Sequence, residues 1–280
     1  MIDTHLHVWR LATGWYPWNI PELGDVHADS TVDEVAGAMA RAGVTSVVLV
    51  QAADTLAETD WLLDLARHDE RVAGVVGFLP LADPARLGEL LARYADEPLL
   101  GIRQLWHDHD RADELTDPAV LTSLGRLGEA GLAVDVPDAH PRLWPALTRA
   151  VEQVPQTTFV LDHCGKPPFG DPAGWSDWEA RFTALAALPN MVIKLSGLFG
   201  GSGSSVPATT GELDRVVELA RALAGADRVM VGSDWPMIRG TLDYGETVAG
   251  LRRLLRSWSP QEQVAATQTT ARTTYHLWAR

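Results

Sequence analysis

The segment IDTHLHVW, from Ile2 to Trp9, sets two histidines one residue apart. In an extended strand successive side chains point to opposite faces, so His5 and His7 share one face and Thr4 and Leu6 the other. Two imidazoles on one face converge on a single spot, as a shared substrate or ion would require, although two solvated surface histidines would read the same way. Polar residues of reactive type recur at the ends of other β-rich segments. Gln51 follows SVVLV, Arg103 and Gln104 lie in GIRQL, Asp162 and His163 in LDHCGKP, Lys194 and Ser196 in IKLSGL, and Ser233 and Asp234 in VGSDWP. Lysine is scarce, with Lys166 and Lys194 alone among 23 basic residues. Charge on this chain is therefore normally written as arginine, and both lysines stand at or just past a strand end.

The elements that must position these residues alternate along the whole chain. Short apolar runs begin at Ile2, Thr45, Val72, Leu99, Leu132, Thr157, Asn190 and Arg228, separated by segments of helical period. Thr31 and Glu34 have capping-box spacing, and Pro84 suits a first helical position. Near-continuous apolar strands such as SVVLV imply burial on both faces, as in a parallel sheet covered by helices. Eight β-α units in this length predict an α/β fold, a (β/α)8 TIM barrel over residues 1–280 as one domain. Active sites of such barrels lie at the C-terminal strand ends, where the polar residues gather. Gly197 to Gly211 reads as a mobile loop, and the tail from Ser259 as a terminal helix packing Tyr275, Leu277 and Trp278 on the barrel.

Composition narrows the function. The chain is 46% hydrophobic and 21% charged, with a net charge of -14. Nucleic acid and anionic membranes are poor partners for such a surface, and a small-molecule substrate fits better. The lone Cys164 excludes an intramolecular disulfide and reads as a buried inert thiol. With no leader-like start and no apolar run near the ~18 residues of a membrane span, the chain reads as cytoplasmic; a homodimer is left open. Trp9, Trp15, Trp18, Trp106, Trp175, Trp178 and Trp235 are expected in loops after strands, some sealing the barrel and some walling a substrate. Asp162 is expected to be structural, as are His107, His109 and His140 if they are not simply solvated.

IDTHLHVW, GIRQL, LDHCGKP, IKLSGL and VGSDWP, together with WYPW in the first loop, resemble in order and spacing the amidohydrolase superfamily. The match is to its amidohydrolase-2 branch, which includes L-rhamnono- and L-fucono-lactonases and 2-pyrone-4,6-dicarboxylate lactonase. The resemblance implies a hydrolase that opens a small lactone of carbohydrate metabolism. It brings His5, His7, His163 and Asp234 to the reacting carbonyl, with Asp234 as general base and the histidines as carbonyl polarisers. Ester hydrolysis needs such a base, a group for the developing oxyanion and an acid for the leaving alkoxide. Arg103, Lys194, Gln51, Trp106, Trp235 and Trp18 are expected to bind substrate, with Lys166 the weaker of the two lysines. The same His5, His7, His163 and Asp234 offer ligands for one divalent ion, Zn²⁺ or Mn²⁺. Two ions are not expected, because strands four and five supply Arg103, Gln104 and Asp135 rather than a bridging group and a histidine. Metal-independent hydrolysis, a metal-dependent decarboxylase of the aminocarboxymuconate type and a non-catalytic sugar-acid-binding barrel are the alternatives.

Overall fold

A strand apolar at nearly every position, such as Ser46–Val50, must lose water from both faces. In the computed structural model, which describes residues 1–200 and 208–277, it is the second of eight parallel strands. These are β1 (Ile2–Leu6), β2 (Ser46–Val50), β3 (Val72–Gly77), β4 (Leu99–Arg103), β5 (Ala133–Val136), β6 (Phe159–Leu161), β7 (Met191–Leu195) and β8 (Val229–Val231). They pair in chain order, and a bridge between Leu6 and Trp235 returns the sheet to β1. At this seam the backbone N–H of Asp234 donates to His5 O at 2.8 Å and that of His7 to Trp235 O at 2.7 Å. The result is the expected (β/α)8 barrel.

Helices α1 (Val32–Ala42), α2 (Leu56–His68), α3 (Pro84–Arg93), α4 (Pro118–Glu129), α5 (Trp144–Gln153), α6 (Pro172–Ala186), α7 (Thr210–Ala224) and α8 (Tyr244–Leu254) surround the strands. The Thr31 side chain caps α1 by accepting from Glu34 N–H, and Pro84 opens α3 behind the Asp83 cap. One expectation is corrected here. Trp175 and Trp178 lie in α6 rather than in a loop, because Asp171 and Pro172 start that helix earlier; Trp178 stacks on Phe182 at 4.8 Å between ring centroids.

The barrel interior is layered. Ile2, Val48, Val50, Val76, Val160 and Met230 form a dry lower layer, covered by Ala271 and Tyr275 of the C-terminal segment. That segment comprises α9 (Pro260–Val264), a π turn (Ala265–Thr269) and α10 (Thr270–Thr274). Two residues beyond the inward-facing Ala133, Val160 and Val192, strand periodicity delivers Asp135, Asp162 and Lys194 to the next layer up. All three are fully buried. Residues 201–207 of the expected mobile loop, and Trp278, lie outside the described residues. Among the described residues no helix is long and apolar enough to cross a membrane.

Tyr275 joins the two layers, its hydroxyl donating to Asp135 at 2.8 Å. Tyr275→Phe leaves a buried carboxylate short of a donor and is expected to cost about 1–3 kcal/mol of stability. Urea denaturation reads this, and an unchanged midpoint would show that the tail contributes packing alone.

Candidate active site

His5 sits inside the end of β1 and His7 just past it, and they meet as strand parity dictates, with Nε2 atoms 3.2 Å apart. His7 Nδ1 lies 2.8 Å from Val50 O. A carbonyl can only accept, so neutral His7 carries its proton on Nδ1 and directs the Nε2 lone pair at His5. Burial lowers the pKa of both histidines, that of His5 well below the ordinary imidazole value.

Asp234 follows β8 in a left-handed backbone conformation, φ 61°. The seam hydrogen bond to His5 O holds its backbone, and its Oδ1 lies 3.7 Å from His5 Nε2 and 3.6 Å from His7 Nε2. Burial opposes its ionisation, but the facing imidazoles of His163, His7 and His5 outweigh it and hold the carboxyl well below its usual range. His163 follows β6 in a left-handed turn with Cys164, φ 54° and 53°. The turn carries the imidazole to within 4.7 Å of the His5 ring, centroid to centroid, with Nδ1 2.9 Å from Ser196 Oγ. Gly197, φ 60°, closes over both: a Cβ there would stand 2.7 Å from His163 Nδ1 and 2.9 Å from Asp234 Oδ2.

Beneath His5 lies a buried charge layer. Lys194 Nζ is 2.5 Å from Asp135 and 3.0 Å from Asp162. His5 Nδ1 is 3.3 Å from Asp162 Oδ1 and 3.3 Å from Lys194 Nζ. Burial disfavours every charge here, but the ion pairs win for Lys194, whose pKa is raised, and for Asp162, held well down chiefly by Lys194. Asp162 is therefore a contact of His5 and Lys194. Adjacent residues of a strand point to opposite faces, and the left-handed turn at His163 cancels that separation from Asp162.

A cavity of about 340 Å³ opens above these groups. Of the expected substrate contacts, Arg103 and Trp18 line it. Arg103 donates to Gln51 O at 2.6 Å and lies 3.4 Å from Asp162. Lys194, Gln51, Trp106 and Trp235 do not line it. Lys194 is sealed below the floor, Gln51 is held by Asp54 and by Arg103 O, and Trp106 is fully buried. Trp235 faces Tyr244 and Arg239. His109 bridges Glu114 and Asp54 at 2.7 and 3.1 Å, a structural tie, while His107, His140 and Lys166 join the cavity wall. Cys164 is buried, and burial raises its thiol pKa. Asp138, Gly197 and Tyr275 were missed as contributors to the site. The signal available for the neighbouring layer was Asp135, a carboxylate inside the otherwise apolar strand AVDV.

The donor set fits a divalent ion. His5, His7 and Asp234 offer atoms within 4.8 Å of one another, and His5, Asp162 and His163 form a second such group. With the His5 proton on Nδ1 toward Asp162, two nitrogen lone pairs and a carboxylate oxygen face one point, the borderline-soft set that zinc takes. The other tautomer is also satisfied, with His5 Nε2 donating to His7 and Nδ1 accepting from Lys194.

Comparison with known proteins agrees with this architecture. The family profile described as Amidohydrolase matches residues 2–277. An L-fucono-1,5-lactonase from Burkholderia ambifaria is 32% identical over 254 residues, covering 89% of this chain and 85% of its own. A second, from Burkholderia multivorans, is 30% identical over 273 residues, covering 95% and 90%. A solved Burkholderia multivorans amidohydrolase with bound zinc is 29% identical, covers 98% of both chains and has a TM-score of 0.89.

Removing Lys194 would leave Asp135 and Asp162 buried without their shared cation. Lys194→Met is accordingly expected to lose about 3–5 kcal/mol of folding stability, measured by urea denaturation. A loss below about 1 kcal/mol would mean that the charge layer is not what holds the floor of the site.

Proposed function

The chain belongs to the amidohydrolase family, and from that premise we propose that it hydrolyses a small lactone, a sugar 1,5-lactone in particular, with the whole chain serving as one catalytic barrel. The observation that carries the reading is the convergence of His5, His7 and Asp234 at the cavity floor, with separations of 3.2, 3.6 and 3.7 Å. Similarity to the two L-fucono-1,5-lactonases supports the choice of substrate class.

Water attacks the ring carbonyl, the carbonyl oxygen gains charge, the ring C–O bond breaks, and the released alkoxide takes a proton to give a hydroxy acid. Asp234 is the proton acceptor, ionised across the physiological range because the surrounding imidazoles hold its pKa low. It returns the proton to the leaving alkoxide. His163, whose ring lies 4.7 Å from that of His5, and Arg103, whose Nη1 lies 3.4 Å from His5 Nε2, both line the cavity and serve as donors to the developing oxyanion. A carboxylate held this low is a weak base, so the water it deprotonates must itself be polarised. A divalent ion held by His5, His7 and Asp234, zinc by the character of the donor set, would supply that polarisation by lowering the pKa of bound water.

Decarboxylation is less well supported, because a substrate carboxylate would need an unspent cation. Arg103 already lies against Asp162, and Lys166 against Asp138. Acid release from a panel of aldono-1,5- and 1,4-lactones tests the proposal. Wild type is expected to turn over at least one sugar lactone, and Asp234→Asn to lose about 10²–10⁴-fold in kcat. Turnover that survives in Asp234→Asn would remove the carboxylate from the chemistry, and the absence of any lactone turnover in the zinc-supplemented wild type would reject the reading.

A further inference from the structure

The cavity has two unlike walls above the catalytic floor. On the β1 side stands Trp18, backed by the fully buried Trp9, with Met237 after β8. Both indole N–H groups are spent on backbone carbonyls, Trp9 on Ala28 O at 2.7 Å and Trp18 on Ala52 O at 2.8 Å. That wall therefore offers carbon surface.

The opposite wall comes from the loops after β4, β5 and β6 and carries His107, Asp138, His140 and Lys166. These loops are tied together. Arg142 donates to Trp106 O and His107 O at 2.7 and 2.9 Å, and His140 N–H donates to Gly165 O at 3.0 Å. Lys166 Nζ donates to Asp138 Oδ2 at 2.8 Å. Both residues hold left-handed backbone conformations, φ 41° for Asp138 and 62° for Lys166. Such conformations cost a non-glycine residue free energy and persist where surrounding structure imposes them. His107 Nδ1 beside them is buried without a partner.

An ammonium with three donors spends one on Asp138, and a carboxylate accepts at more sites than the one Lys166 fills. Among the described residues neither group makes another hydrogen bond within the protein. The pair thus presents a fixed donor next to a fixed acceptor, with little net charge. That pattern matches two adjacent hydroxyls, one accepting from Lys166 and the other donating to Asp138. It does not match a carboxylate, which needs cations that no carboxylate has already claimed.

Building on the lactone reading, we propose that Asp138 and Lys166, with His107 beside them, form a subsite for a vicinal diol. This subsite makes the substrate a neutral polyhydroxylated lactone, its hydroxyls on the β4–β6 wall and its least polar edge on the Trp18 indole.

The test compares L-fucono-1,5-lactone with unsubstituted δ-valerolactone in wild type, Asp138→Asn and Lys166→Met. Asparagine tolerates the left-handed conformation, and the Lys166 side chain is 44% exposed, so both variants should fold, which circular dichroism checks. Each variant is expected to lose about 10- to 100-fold in kcat/KM on the hydroxylated lactone, carried by KM, while δ-valerolactone changes by less than about twofold, since it makes no such hydrogen bond. Equal losses on both substrates would overturn the proposal by making the pair a support of the floor, and no loss on either would overturn it by making the pair inert. Titration calorimetry with L-fuconate keeps this test separate from the lactone reading. If wild type opens no lactone, that reading fails on its own, and the subsite still stands or falls by whether L-fuconate binds wild type at least about tenfold more tightly than the variants.

Discussion

One buried ammonium organises this molecule. Lys194 has no access to solvent, and its charge persists only because Asp135 and Asp162 flank it. Each carboxylate then needs a second donor. Asp135 takes the Tyr275 hydroxyl from the C-terminal segment, and Asp162 takes Arg103 and the His5 ring. The layer therefore extends from the plug beneath the barrel to the imidazole at the cavity floor. Because Asp162 and Lys194 both reach Nδ1 of His5, the ring plane is set from below and Nε2 is left pointing upward into the site.

The second constraint is the seam between β1 and β8. Asp3 Oδ1 accepts from Ser233 N–H at 2.8 Å and from His5 N–H at 3.2 Å, and its Oδ2 accepts from the Tyr244 hydroxyl at 2.9 Å. A fully buried carboxylate thus joins the first strand to the last and to α8. Gly232 makes the approach feasible, because a Cβ there would fall 2.5 Å from that of His5. The closure that completes the barrel is the same contact that brings His5 and His7 to Asp234, so fold and site share their backbone hydrogen bonds.

The barrel was legible because its signal is periodic, with eight apolar runs and helices between them, and because parity alone put His5 and His7 on one face. The strand-end rule likewise directed attention to Arg103, His163 and Asp234. What parity could not supply was the backbone beyond the strands. The left-handed turn at His163 and Cys164 overrides alternation and brings Asp162 and His163 to the same histidine. Lys194 looked available because it is rare and near a strand end, yet two inward-facing aspartates on neighbouring strands capture it, a pairing that depends on barrel register. Trp106 and Trp235 are invisible to such reasoning for a related reason: an indole in a loop can turn inward to pack or outward to a ligand, and sequence does not fix which.

The account rests on water, activated at the His5, His7 and Asp234 floor, attacking a lactone carbonyl. Turnover of L-fucono-1,5-lactone in ¹⁸O-labelled water, followed by mass spectrometry of the product acid, tests this most directly. The prediction is one label in the new carboxylate, at a rate far above the uncatalysed reaction and above that of Asp234→Asn. Label in an alcohol oxygen, or labelling no faster than without enzyme, would contradict it.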